Sequence, residues 1–212
     1  MPHLILLGDS IFDNGAYVPN GPPVIEQVRQ ALPRDWQATL LAVDGNVTED
    51  VERQLARLPA DATHLVVSVG GNDALGARGV LYDAARTVGE GLVALQEIRL
   101  RFRDAYRTML RGLLARQKPT AVCTIYDCIP GLGRAELAEL AALAGFNEVI
   151  LREAFAAGLP VIDLRLLCQQ QSDFSPLSPI EPSHLGGAKI ARVIAELATG
   201  HDFGKGRSVV YS

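Results

Sequence analysis

Residues 4–10 read Leu4-Ile5-Leu6-Leu7-Gly8-Asp9-Ser10, an apolar run cut off by a glycine and two polar residues. A short run of this kind reads as a buried strand meeting its first loop at Gly8. In an open parallel sheet, chemistry gathers at the carboxyl ends of the strands. Ser10 therefore stands one step past the edge where a nucleophile would be useful. Taken alone it is equally an ordinary turn residue.

The same pattern recurs along the chain. Ala38 to Val43 is ended by Asp44-Gly45-Asn46, and Leu65 to Val69 is stopped by Gly70-Gly71-Asn72-Asp73. Ala121 to Tyr126 and Pro160 to Leu164 give the fourth and fifth strands. Helical patterns fall between them. Pro22 and Pro23 open the first helix, with Val24, Val28 and Ala31 on one face. Asn46 and Glu49 have the form of a capping box ahead of Val51, Leu55 and Leu58. The longest helix is predicted over Ala84 to Arg116, where Leu95, Ile98, Phe102, Tyr106, Met109 and Leu113 keep helical spacing. Gly89 and Gly91 weaken its beginning. A further helix covers 134–157, and the last one starts at Gly187, with Ile190, Val193, Ile194 and Leu197 as its apolar set. Residues 11–21, 73–82 and 169–182 read as loops, as does Asp127 to Gly131.

Strand and helix alternate throughout, which predicts an α/β fold: a three-layer, doubly wound, flavodoxin-like and mostly parallel five-stranded sheet with right-handed crossovers. Residues 1–199 form one domain on this reading. Residues 200–212 form a C-terminal tail, either loose or available to pair with the sheet edge of a partner.

Composition narrows the function classes. The chain has 212 residues, 48% of them apolar, with a net charge of −4, so it lacks the basic footprint of a nucleic-acid or anionic-membrane binder. Cys123, Cys128 and Cys168 form no C-x-x-C pair, which excludes a disulfide scaffold or a zinc ribbon. No signal peptide precedes the first strand and no window has membrane-spanning length, so a cytoplasmic location is expected. Asp9 and Asp13 have no companion ligands at metal spacing, and no cofactor or metal is expected. Arg99, Arg103, Arg107 and Arg111 make an i, i+4 stripe down the long helix, read as a solvated face rather than an anionic-partner site.

The loops at one rim bring together Ser10, Gly45-Asn46, Asn72-Asp73, Asp127 and Glu181-x-x-His184. That inventory suits acyl transfer: a serine hydroxyl needs a histidine base, the base needs a carboxylate, and the oxyanion needs donors. His3 and His64 lie at strand starts, on the far edge, and His201 lies in the tail. Elimination leaves His184 as the base, with Glu181 placed three residues earlier to reach its Nδ1 across one turn.

Gly8-Asp9-Ser10, Gly45, Gly71-Asn72-Asp73 and a carboxylate-x-x-His near the C-terminus resemble the four ordered blocks of the GDSL or SGNH hydrolases. The resemblance runs from residue 4 to about 198. It implies the SGNH hydrolase fold, Ser10 as nucleophile and His184 as general base. It further implies that the N–H groups of Ser10 and Gly45, with the Asn72 side-chain amide, form the oxyanion hole. The family usually has Asp where this chain has Glu181, so the orienting role falls to Glu181, to a backbone carbonyl or to another acid such as Asp173. The activity implied is that of a metal-free serine esterase or lipase-type acylhydrolase acting on a small-molecule ester. A carbohydrate O-deacetylase or thioesterase would use the same machinery, and a non-catalytic binder would keep only the fold. Tyr17, Leu75, Leu81, Ile129, Leu132, Phe174 and Leu177 suggest a pocket for an apolar acyl or aromatic group. The oligomeric state is open.

Overall fold

Strand β1 (His3–Gly8) is buried at every position. Leu4 and Leu6 belong to one core and Ile5 and Leu7 to the other, as the two-residue period of a strand covered on both faces requires. The computed structural model describes residues 1–19, 21–127 and 134–212. Around β1 it builds a six-stranded sheet in the order β2-β1-β3-β4-β5-β6, with β2 (Gln37–Leu40), β3 (His64–Ser68), β4 (Thr120–Cys123), β5 (Val161–Ile162) and β6 (Val210–Tyr211). Every neighbouring pair is parallel.

Helices α1 (Val24–Ala31), α6 (Leu164–Leu167) and α7 (His184–Gly200) cover the face that holds Leu4 and Leu6. Helices α2 (Val51–Leu55), α4 (Val88–Leu114) and α5 (Arg134–Ala156) cover the other. The α/β, doubly wound architecture is the one expected. Strand order reverses between β1 and β3, and such a reversal opens a crevice at the carboxyl edge. Two glycine-bearing loops enter that crevice.

Several local expectations change. The sheet has six strands, because the tail returns as β6 to the chain's own sheet: Val161 N–H donates to Val209 O at 2.9 Å and Asp163 N–H to Tyr211 O at 2.8 Å. Two residues of strand carry no readable period, so only the pairing partner reveals them. Residues 73–82 are not a loop but α3 (Gly71–Ala77) followed by a 3-10 turn over Arg78–Tyr82. Helix α4 runs unbroken through Gly89 and Gly91 but starts at Val88, four residues later than expected, with the Thr87 hydroxyl accepting Glu90 N–H. The turn before α2 is capped by Asp50, whose Oδ2 accepts Val47 N–H at 3.0 Å, not by Asn46 and Glu49. Helix α7 begins at His184, three residues before Gly187. In the arginine stripe, Arg99 pairs with Glu148 and Arg107 with Glu153, each at 2.8 Å, which fastens α4 to α5. No helix among the described residues is long and apolar enough to cross a membrane.

Candidate active site

The turn that delivers Ser10 depends on Gly8. Its φ of +120° lies where side chains are rarely tolerated, and a Cβ there would stand 1.8 Å from Ser68 O. Gln54 on α2 grips this glycine from both sides: its Oε1 accepts Gly8 N–H at 2.8 Å, and its Nε2 donates to Gly8 O at 2.7 Å. The same Nε2 reaches Asn46 Oδ1 at 2.9 Å, linking the first two loops of the rim. Asp9 N–H donates to Ser68 O, and Phe12 and Asp13 N–H both donate to Asp9 O, so the chain turns sharply past Ser10. Ser10 N–H has no hydrogen-bond partner among the described residues.

Asn72, in the first turn of α3, donates from Nδ2 to Asn46 O at 2.9 Å. A primary amide has two N–H donors, so one of them remains for another acceptor, and Asn72 lines the same cavity as Ser10. Asp73 turns away to hold Thr48 through its N–H and hydroxyl, a scaffolding role. Gly45 occupies a turn with φ +79°, is exposed, and does not line the cavity. Gln54 has no counterpart among the residues singled out from the sequence. Its signal is slight: one amide on a short, otherwise charged and apolar helix.

The structure does not bring His184 to Ser10. Ser183 is the N-cap of α7, extended at ψ 177°, with its hydroxyl accepting Leu185 and Gly186 N–H. His184 is thus the first residue of the helix, while Glu181 lies outside it beyond Pro182. The three-residue spacing consequently spans a bend, not a turn, and the two side chains part. His184 is exposed, lies against Gly21, where a Cβ would come within 2.5 Å of the histidine's own, and borders a hollow with Tyr17, Val18, Pro19 and Phe174. Its side chain makes no hydrogen bond to Ser10 or Glu181.

Glu181 takes the place beside the serine. Ser10 Oγ donates to Glu181 Oε1 at 2.9 Å, and the carboxylate is buried, with Oε2 lacking a hydrogen-bond partner among the described residues. The segment carrying it is pinned on every side. Ser175 N–H donates to Glu181 O at 2.8 Å, Tyr126 Oη donates to Ile180 O, and Asn14 Nδ2 donates to Pro182 O at 3.1 Å. Ser183 N–H donates to Asp173 O at 2.9 Å. Asp173, weighed from sequence as a substitute acid, is instead committed to Lys189 at 2.7 Å and to the N–H groups of Gln169 and Gln170.

Burial pushes the Glu181 carboxyl up to about 7, against the lowering effect of the Ser10 hydrogen bond and helped by the charge of Asp44. Burial likewise pushes Asp9 up to about 8, against its hydrogen bond from Ile11 N–H, with Glu181 and Asp73 adding to the rise. Two adjacent carboxyls thus titrate near neutrality, a perturbation that marks functional sites more often than structural ones.

Ser10, Asn72 and Glu181 sit at the polar end of a cavity of about 310 Å³. Its walls are apolar, among them Leu75, Leu81, Leu95, Ile98, Leu143 and Phe146. Of the pocket residues expected from sequence, Leu75 and Leu81 line it. Tyr17 and Phe174 face the His184 hollow, and Leu177 is exposed. Ile129 and Leu132, with Cys128, lie outside the described residues. Cys123 and Cys168 are buried free thiols, and neither lines the cavity. No cluster of three or more His, Cys, Asp or Glu residues suited to a metal occurs among the described residues.

The family model described as GDSL-like lipase/acylhydrolase matches residues 6–188. No curated protein matches the chain in sequence. Among solved structures, an extracellular lipase from Streptomyces rimosus is similar at TM-score 0.66 and 17% identity, over 94% of this chain and 100% of that one. A phospholipase A1 from Streptomyces albidoflavus is similar at 0.63 and 18%, over 89% and 95%. An acetyl xylan esterase, AlAXEase, is similar at 0.63 and 16%, over 89% and 96%. At these identities the likeness is one of fold.

Proposed function

We propose that this chain, which belongs to the GDSL-like lipase/acylhydrolase family, hydrolyses carboxylic esters through an acyl-enzyme on Ser10. The observation that carries the proposal is the hydrogen bond from Ser10 Oγ to a buried carboxylate, in a cavity whose walls are mostly apolar. Ser10 attacks the ester carbonyl, and the negative oxygen of the tetrahedral intermediate accepts from Ser10 N–H and from the Asn72 amide. Donors already aimed where charge develops cost no reorganisation, and one of them is typically worth about 100- to 1000-fold. Collapse expels the alcohol, and water then releases the acid by the same route. Gly45 and His184, which the family resemblance implied, have no part in this scheme, because neither lines the cavity.

The apolar walls favour an acyl group longer than acetyl, since each methylene buried there gains about 0.8 kcal/mol. This distinguishes the proposal from an O-deacetylase, which has no use for such length. A series of p-nitrophenyl esters from acetate to decanoate tests it: kcat/KM should rise with chain length before falling, and Ser10→Ala should lose at least about 1000-fold. A non-catalytic binder is the second reading, favoured by the position of His184. It would be established if a fluorophosphonate failed to label Ser10 and no ester of the series were cleaved.

A further inference from the structure

We infer that Glu181 is the general base that takes the proton from Ser10, standing where an acylhydrolase of this mechanism needs an imidazole. The inference rests on the ester-hydrolase reading above and assigns its proton transfers. Three observations carry it. Oε1 accepts the hydrogen bond of the Ser10 hydroxyl at 2.9 Å, the one acceptor it has among the described residues and within the reach a general base needs. Oε2 is buried and has no hydrogen-bond partner among the described residues, so no histidine or cation among them claims the carboxylate. The backbone on both sides of it is held by Tyr126, Ser175, Asn14 and Asp173, which fixes the carboxylate against the nucleophile.

The proton balance closes on this one carboxylate. As the bond from Oγ to the carbonyl carbon forms, the Oγ proton passes to Oε1 and the carbonyl electrons move onto oxygen. When the intermediate collapses, the bond to the leaving alcohol breaks and Glu181 returns the proton to it. Water then attacks the acyl-enzyme, gives a proton to Glu181, and the proton finally restores the Ser10 hydroxyl as the acid departs. The negative charge moves from carboxylate to oxyanion without a separated ion pair, which suits an apolar cavity. An ordinary glutamate is too weak a base for this work at neutral pH. Burial brings Glu181 up to about 7, near the value that proton transfer requires.

The groups that face Glu181 make the titration attributable. Asp9, Asp44, Tyr17 and Tyr126 feel its charge or contribute to it. Arg78 and Arg99 line the same cavity, but they pair with Glu139 and Glu148. Asp73 couples to Asp9.

The test follows both p-nitrophenyl butyrate hydrolysis and the rate of fluorophosphonate labelling of Ser10 across pH 5–9. It compares the wild-type chain with Glu181→Gln, His184→Ala and Asp9→Asn, each checked for folding by circular dichroism. The wild type should show one acid limb with its midpoint near 7. Glu181→Gln should lose the limb and at least about 100-fold in kcat, with KM within about threefold. His184→Ala should keep both rate and limb within about threefold, and Asp9→Asn should retain the limb. If the wild type hydrolyses and is labelled while Glu181→Gln keeps the limb, or His184→Ala abolishes it, the inference is overturned and the hydrolase reading survives. If no chain is labelled and none hydrolyses, the hydrolase reading fails, and the base assignment falls with it.

Discussion

The cavity beside Ser10 and the hollow beside His184 are supplied by the same five-residue stretch, Ile180-Glu181-Pro182-Ser183-His184, yet they are built from different material. Ile180 and Glu181 enter the cavity, where mostly apolar walls surround a buried carboxylate and a serine hydroxyl. Ser183 and His184 border the hollow, where the imidazole is exposed to solvent against Gly21. A titratable group acquires unusual chemistry from its surroundings, not from its type. The lesson is that one helix start decides which residue receives the functional environment. Ser183 caps α7, the chain bends there, and the carboxylate is left on the side with Ser10.

The comparison can be broken most forcefully at the oxyanion. Asn72→Ala should lower kcat by about 100- to 1000-fold with little change in KM, because it removes a donor used in the transition state. If KM rose and kcat held, the amide would serve binding alone. The same substitution should leave the His184 hollow untouched.

The next effect concerns stability, and its sign follows from the raised carboxyls. Folding lifts Glu181 from an ordinary value near 4.5 to about 7, and Asp9 from 3.8 to about 8. The folded chain therefore binds protons more tightly than the unfolded one. The resulting stabilisation is complete at low pH, below those ordinary values, and is lost as pH rises through about 7 to 8. Chemical denaturation should show stability falling between pH 5 and pH 8.5, with Glu181 contributing on the order of 2 kcal/mol. Glu181→Gln should flatten its share of that fall. The ionised form that would serve catalysis is thus the form that destabilises the fold.

The smallest expected effect sharpens the role of the pinned segment. Tyr126→Phe removes the hydroxyl that holds Ile180 O and should cost about 1 kcal/mol of stability. If that bond positions Glu181, kcat should fall several-fold while the midpoint of the acid limb stays in place. A fall in stability with no change in kcat would make the bond structural only.

Much of the architecture was readable from pattern. The apolar runs ended by Gly8, Gly45 and Gly70 mark three strands entering the rim, because a buried strand must be apolar and its exit turn favours glycine. Ser10 and Asn72 were equally readable, since each lies directly after such a turn. The tail was not, because Val210 and Tyr211 form a strand only through hydrogen bonds with β5, more than forty residues away in sequence. Residues 73–82 were misread because Gly76 and Gly79 weaken a helix locally, while α3 and the turn after it are held by packing.

The sequence by itself determined the alternating strands and helices, the glycine turns and the presence of a serine, an amide and a carboxylate on loops of one rim. These follow from local rules of burial, periodicity and backbone freedom. Tertiary structure alone decided which side chain meets the Ser10 hydroxyl. Glu181 and His184 are three residues apart, and on one continuous turn they would have shared a face. The cap at Ser183 and the contacts of Asn14, Tyr126 and Asp173 hold the chain extended before α7 instead. Direction at a bend is fixed by partners distant in sequence, and spacing along the chain carries no record of them.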